Sequence, residues 1–401
     1  MIDNWEVKTL GDIADIKRGL ASQHLNYVDS SEEGVRIIRI NDFKSDSPKF
    51  IKETSETKKL TIKRGDILMA GTGATAGISF LVNDLWNRLP FSYNAPRIRV
   101  KNGNSSTFVY FILNSDKIKT QQNKLFTGNA QPFLDTRAIA SFIIPLPPLP
   151  EQQKIAEILS TVDDKIEVID QQITETKELK KGLMQRLLTK GIGHTDFKES
   201  SLGKIPKNWE VSKLGKLTKS FAGGTPNRSV SEYYNGTIPW IKSGEVNNNN
   251  ITSCSEHVTE LAIQESSAKL IEPNSILVAL YGATAGKVGI LKIRACSNQA
   301  VLAINSTAPN LSNEFLYHYL KKCTSELLKL CQGSGQPNLS KGIVDGVNIP
   351  VPSISEQQKI ADIFGSVDEK LEILLEKKTH YQELKQGLMQ QLLTGKIRVK
   401  I

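Results

Sequence analysis

Residues 151–167 read EQQKIAEILSTVDDKIE, and residues 356–372 read EQQKIADIFGSVDEKLE. A chain that writes one helical stretch twice must build one plan twice, so the internal repeat constrains the fold before anything else does. Other pieces recur in the same order. Asn4-Trp5-Glu6-Val7 returns as Asn208-Trp209-Glu210-Val211, and GATAG at 73–77 returns at 282–286. Gly128, Gln131, Pro132 and Leu134 return as Gly333, Gln336, Pro337 and Leu339. IPLPPLPEQQKIA (144–156) answers IPVPSISEQQKIA (349–361), and ELKKGLMQRLLT (178–189) answers ELKQGLMQQLLT (383–394). The order is globular half, long helix, globular half, long helix.

Both helices carry a heptad seam. In the first copy it runs Ile155, Leu159, Val162, Ile166, Ile169, Ile173; in the second it runs Ile360, Phe364, Val367, Leu371, Leu374, then Tyr381, Leu388 and Leu392. About 40 residues at ~1.5 Å each give a rod of roughly 60 Å, longer than a globular core needs. Helix 1 leaves the first half and ends at the second, and helix 2 starts from the second. The compact solution is an antiparallel two-helix coiled coil relating the halves by a pseudo-two-fold axis. Pro150 and Ser355 ahead of Glu151 and Glu356 mark both helix starts. Lys180 and Lys385 interrupt the seam, followed by Gly182 and Gly387, which each cost about 1 kcal/mol against alanine. Two readings fit these interruptions equally: frayed helix ends, or a surface that receives another subunit.

The globular halves mix short apolar runs such as GDILMAG, SILVALYG and PRIRV with helical stretches such as FVYFILNS, which reads as an α+β (mixed α/β) class. The boundaries expected are 1–148 for the first half, 149–192 for helix 1, 193–352 for a linker and the second half, and 353–401 for helix 2 with a tail.

The formal charge is +9. Residues 151–190 hold 8 acidic and 7 basic groups and residues 356–396 hold 7 and 6, so the rods total −2 and about +11 falls on the rest. A polyanion would therefore meet the globular halves. The start MIDNWEVKTL lacks the marks of a secretory signal and no long apolar run follows, so the expected location is the cytoplasm, with no membrane partner. Cys254, Cys296, Cys323 and Cys331 form no CxxC pair and are expected to be buried, reduced thiols.

Catalytic patterns fail one by one. GATAGKV (282–288) lacks the first glycine and final hydroxyl of a phosphate loop, since Tyr281 and Val288 stand there, and reads as a tight strand-to-strand turn. No (N/D/S)-P-P-(Y/F/W) stretch supports adenine methylation; the one Pro-Pro is Pro147-Pro148. Asp163-Asp164-Lys165 and Asp368-Glu369-Lys370 mimic a nuclease signature but sit on heptad helices, where surface charge is the simpler reading. His24, His194, His257, His318 and His380 make no metal face. No metal site, cofactor or catalytic residue is expected on this chain.

NWEV opening each half, GATAG and QP-L within it, and IP-P with EQQKIA, heptads and LMQ-LLT closing it together resemble the specificity subunit of type I restriction-modification systems. The resemblance implies that each half is a target recognition domain reading one part of a bipartite, asymmetric site in double-stranded DNA, with the helices as a spacer. It implies two methyltransferase subunits docked on the chain, carrying S-adenosylmethionine, and restriction subunits using ATP and Mg. The alternatives are a tandem coiled-coil scaffold that binds no DNA and an autonomous enzyme of unfamiliar site.

Shared features are poor candidates for base reading, because halves that read different sequences must differ where they touch bases. Gly73, Gly77, Gly282, Gly286, Gln131-Pro132 and Gln336-Pro337 are therefore assigned mainly to structure. The DNA-contact candidates come from loops at matching places with unlike contents. In the first half they are Lys17, Arg18, Gln23, His24, Asn26, Arg39, Asn41, Lys44, Asn129 and Gln131. In the second they are Thr225, Asn227, Arg228, Lys242, Ser243, Asn247, Asn248 and Lys287. Deleting one heptad from each rod is expected to shorten the tolerated gap between half-sites without altering either, read from the methylated motif in cells; an unchanged gap refutes the spacer role.

Overall fold

The computed structural model describes residues 4–43, 47–126, 132–247, 250–329 and 338–400. The chain divides into two compact units: Met1–Gln171 with Glu376–Ile401, and Gln172–Leu375. Four helices contribute to the two main cores: α1 (Ser106–Leu113), α2 (Leu149–Lys190), α3 (Asn313–Lys329) and α4 (Ile354–Leu392). Each unit takes one end of α2 and one end of α4, so the repeat is completed by chain segments far apart in sequence.

The first unit centres on an antiparallel sheet in the spatial order Ala14–Lys17, Arg97–Val100, Ile67–Met69, Ser79–Leu81. Ile67, Leu68 and Met69 are all fully buried, which is why GDILMAG reads as an unbroken apolar run: the strand is covered on both faces. The second unit repeats this with Thr218–Ala222, Val301–Ser306, Ile276–Ala279, Val288–Leu291 and Asn250–Ile251. The pairings of this sheet are antiparallel except the last. Helix α1 packs its buried Phe108, Phe111 and Ile112 into one core, and α3 packs Phe315, Tyr319 and Leu320 into the other.

The repeated EQQ is a joint. In the first unit, strand Glu6–Thr9 pairs antiparallel with Ile143–Leu146, the strand that feeds α2. Glu151, only 1% exposed, accepts a hydrogen bond from Trp5 Nε1 at 3.2 Å. It also accepts two from the Arg398 guanidinium, at 2.6 and 2.7 Å. Gln152 beside it donates to the Pro147 carbonyl at 2.8 Å and accepts from the Ser105 N–H, ahead of α1, at 2.8 Å. The second unit does the same. Strand Glu210–Lys213 pairs with Asn348–Val351, and Trp209 Nε1 donates to Glu356 at 3.0 Å. Gln357 donates to Pro352 and accepts from Ser312 N–H. Where Arg398 serves Glu151, Glu356 instead has His194 Nε2 at 2.8 Å and the Ile192 N–H at 2.9 Å.

In each unit the two helices run antiparallel. Ile155 and Leu159 share a core with Leu392 and Leu393, and Leu187 and Leu188 share the other with Ile360 and Phe364. The seam residues Ile155, Leu159, Val162, Ile169, Ile173, Ile360, Phe364, Leu374 and Leu392 are buried, and Ile166, Val367, Leu371 and Leu388 are half-buried. Seam lysines meet aspartates across the pair: Lys385 with Asp163 at 2.5 Å and Lys378 with Asp170 at 2.6 Å in the first unit, Lys180 with Asp368 in the second. Two expectations need correction. Both helices stay regular past the lysines, to Lys190 and Leu392, so the interruptions are not frayed ends. Asp163 and Asp368 are cross-helix partners rather than plain surface charge. A seam lysine weakens a coiled coil but restricts its register, and partly exposed pairs of this kind each contribute at most about 1 kcal/mol.

Among the described cysteines, Cys296 and Cys323 are buried and Cys254 is half-buried, because its loop stays near solvent; burial pushes the Cys296 thiol up to about 12. Cys331 lies outside the described residues.

Glu151→Ala leaves Trp5 Nε1 and the Arg398 fork without their acceptor. It is expected to destabilise the first unit by roughly 2–4 kcal/mol. Chemical denaturation checks this, and an unchanged midpoint would mean the joint is not stabilising.

Candidate nucleic-acid interface

In the first unit, residues 90–94 clasp the candidate loops together. Leu20 N–H donates to the Phe91 carbonyl and Tyr93 N–H to the Leu20 carbonyl, both at 2.8 Å, which fixes the 17–26 loop. Ile38 N–H donates to Pro90 and Ser92 N–H to Ile38, both at 2.9 Å, which fixes the start of the 39–43 loop. Gly71 N–H reaches Asn94 at 2.8 Å, and Leu134 N–H reaches Gly71 at 2.8 Å, adding the GATAG turn and the segment after residue 131. The clasp requires Gly19, since a Cβ there would stand 2.0 Å from the Phe91 carbonyl oxygen.

The second unit clasps its loops through residues 296–300. Gly224 N–H donates to Ser297 at 2.8 Å, Asn298 N–H to Ile241 at 3.0 Å, and Leu280 N–H to Ala300 at 2.8 Å. FSYNA (91–95) and CSNQA (296–300) are thus a further repeat, marked in the sequence only by a shared serine and alanine at the common offset. Both GATAG stretches are tight strand-to-strand turns. Gly73, Gly77, Gly282 and Gly286 all take positive φ, and Gly77 N–H and Gly286 N–H close onto Ala70 and Ala279 at 2.7 and 2.8 Å.

The candidate side chains differ in how freely they are held. Lys17 and Asn26 are exposed; Lys17 lies 3.7 Å from Asp15. Arg18 stacks on Tyr93 and Phe133, at 4.2 and 5.1 Å to the ring centroids. Gln23 contacts His24, which lies 3.1 Å from Glu56. Arg39 is tied internally, to Asp42 at 3.3 Å and the Ser47 carbonyl at 2.7 Å, while Asn41 on the turn Ile40–Phe43 is exposed. Lys44, Asn129, Gln131 and Asn248 lie outside the described residues.

In the second unit Glu256 organises the loops. Arg228 Nη2 reaches it at 2.8 Å and Lys242 Nζ at 2.9 Å. The hydrogen bond from Lys242, then those from Arg228, hold the Glu256 carboxyl below its ordinary range against its partial burial. Arg228 also stacks on Tyr234 and Trp240, at 4.7 and 5.0 Å. Lys287 Nζ donates to Asn247 Oδ1 at 2.6 Å, and Thr284 Oγ1 donates to the Ser243 carbonyl at 2.6 Å, so the GATAG turn and the 242–247 loop are one surface. Thr225 bonds Gln299, and Asn227 caps its own turn by accepting from Ser229. The aromatic platforms, Tyr93, Phe133, Tyr234 and Trp240, were not among the sequence candidates. Nothing in the local pattern sets them apart from core aromatics.

A cleft of about 630 Å³ in the first unit lies where α1 meets the LMQQLLT end of α4, lined by Tyr110, Phe111, Asn114, Lys385, Gln386 and Met389 among others. No helix among the described residues is long and apolar enough to cross a membrane.

The family model of the type I restriction modification DNA specificity domain matches residues 2–178 and again 206–386, so the chain belongs to that family in both halves. It is 30% identical to the type I restriction enzyme MjaVIII specificity subunit of Methanocaldococcus jannaschii, over 99% of this chain and 94% of that protein. It is 24% identical to the HindI specificity subunit of Haemophilus influenzae, over 99% of this chain and all of that protein. Among solved structures, the type I restriction-modification S subunit from M. genitalium shares the fold, with a TM-score of 0.63 at 16% identity, over 99% of this chain and 97% of that one.

Gly19→Ala is expected to destabilise the first unit by about 1–3 kcal/mol and to raise hydrogen exchange at the Leu20 and Tyr93 amides. Unchanged exchange would show that the loops are not held by this approach.

Proposed function

We propose that the chain is the DNA sequence-recognition subunit of a type I restriction-modification complex. Each unit reads one part of a bipartite, asymmetric site, and the long helices set the gap. The observation that carries this reading is the doubled specificity-domain match laid over two units whose loops are clasped alike but furnished differently. Like backbones with unlike side chains suit two readers of different sequences, and the positive excess off the rods suits a polyanion. Duplex DNA repeats every 10 to 10.5 bp, about 34–36 Å, so two readers kept apart by a stiff helix pair can meet one face of it.

The methylation and cleavage steps belong to partners in this reading. Two methyltransferase subunits holding S-adenosylmethionine dock on the helices and modify adenine, and restriction subunits using ATP and Mg join them. The exposed glutamines Gln386 and Gln390, beside the cleft on α1, support docking there. Such a complex works where the genome is, in the cytoplasm.

With methyltransferase subunits present, the chain is expected to bind its DNA site in gel shifts with affinity falling steeply with salt, by roughly one unit of log–log slope per phosphate contact. Indifference to DNA in their presence would refute the reading and favour a scaffold.

A further inference from the structure

We propose that Arg18 reads a guanine in the half-site of the first unit, its guanidinium held in place by the exposed rings of Tyr93 and Phe133; this rests on the recognition function proposed above. Tyr93 and Phe133 are 42% and 46% exposed, so neither ring serves the core. They flank Arg18 at 4.2 and 5.1 Å. Stacking engages the face of a guanidinium and leaves the N–H donors on its edge for a planar acceptor pair. Among the described residues no hydrogen bond or ion pair engages those donors, and Asp15, three residues earlier in the chain, is committed to Arg97 at 2.7 Å.

All three parts of this arrangement are mounted on the clasp. Arg18 precedes Gly19 and Leu20, Tyr93 lies within the clasping segment, and Phe133 is bridged to Thr72 at the GATAG turn. The guanidinium is therefore preorganised, which lowers the ordering cost of a bidentate contact.

Strand register shows that the arrangement is particular to one unit. Lys17 lies opposite Arg97, and Ala222 lies opposite Leu302, so Arg18 corresponds to Gly223. At the same offset Tyr93 corresponds to Asn298 and Phe133 to Asn338, and Asn338 keeps the bridge, to Tyr281. Arginine, tyrosine and phenylalanine are thus exchanged as a set for glycine and two asparagines, while the backbone around them is retained. A grip on phosphate would serve both units alike, since every sequence offers the same backbone. A contact to a base must differ between readers of different half-sites. Arg228, which stacks on two rings in the second unit, is committed to Glu256. An arginine fork pairs with the O6 and N7 acceptors of guanine in the major groove.

The test expresses the full chain with its modification subunits in cells and maps methylated adenines genome-wide. Wild type should give a bipartite motif with a fixed guanine in one half. Arg18→Ala and Arg18→Lys should both relax that position, with discrimination falling roughly 5- to 150-fold. The other half and the gap should persist and report an intact fold. Tyr93, as a positioning residue, should relax the same base when changed to Ala and restore it when changed to Phe. A motif unaltered by Arg18→Ala overturns the assignment. So does a uniform loss across all sites that Arg18→Lys rescues, which marks a phosphate grip. Absence of any bipartite motif with the wild-type chain overturns the recognition function itself, a result separable from these.

Discussion

A carboxylate removed from water is strongly unfavourable unless its oxygens are met, and the fold of this chain is organised around two such groups. Glu151 and Glu356 open the long helices and accept hydrogen bonds from the tryptophan that begins each globular half. Because each carboxylate opens a helix and is met by the tryptophan ahead of a strand and by a distant segment, it ties three parts of a unit to one another. Gln152 and Gln357 add bonds to the loop ahead of α1 and α3. The direction in which each helix leaves its unit is thereby set by polar bonds mostly screened from water, which tolerate far less slippage than apolar contact alone.

The two copies of this joint are completed differently. Arg398 from the tail serves Glu151, and His194 from the connection between the halves serves Glu356. The tail and the connection are thus alternative endings to one structural sentence, each following one long helix and closing onto the glutamate that opens the other. Within each unit the helix pairing carries a lysine–aspartate contact at the same place, Lys385 with Asp163 and Lys180 with Asp368. Restricted register fixes the pairing of the two helices, because sliding by one heptad would move one against the other by about 10 Å.

The clasp at 91–95 and 296–300 separates scaffold from content. Its hydrogen bonds are made by backbone groups, so the loop side chains are free to vary without altering the support. This is why Arg18, Tyr93 and Phe133 can be replaced by Gly223, Asn298 and Asn338 on a retained backbone.

Much of the architecture was legible in the residues alone. The repeat, the order of halves and helices, the seam from Ile155 to Ile173 and from Ile360 to Leu374, and the turn character of GATAG all follow from local pattern, since periodicity and glycine placement record backbone geometry directly. The pairing of Lys180 with Asp368 was not legible, because charge at a seam position does not name its partner across the helix pair. Nor was the condition of the candidate cations. Lys17, Arg18, Arg39 and Arg228 look alike in sequence, yet tertiary packing commits Arg39 to Asp42 and Arg228 to Glu256 and sets Arg18 between two rings. The sequence by itself determined that one unit would be built twice and joined by heptad helices, because repeats and periods are properties of neighbouring residues. Only the tertiary structure decided which charges remain available at the loops, because that depends on groups brought together from distant parts of the chain.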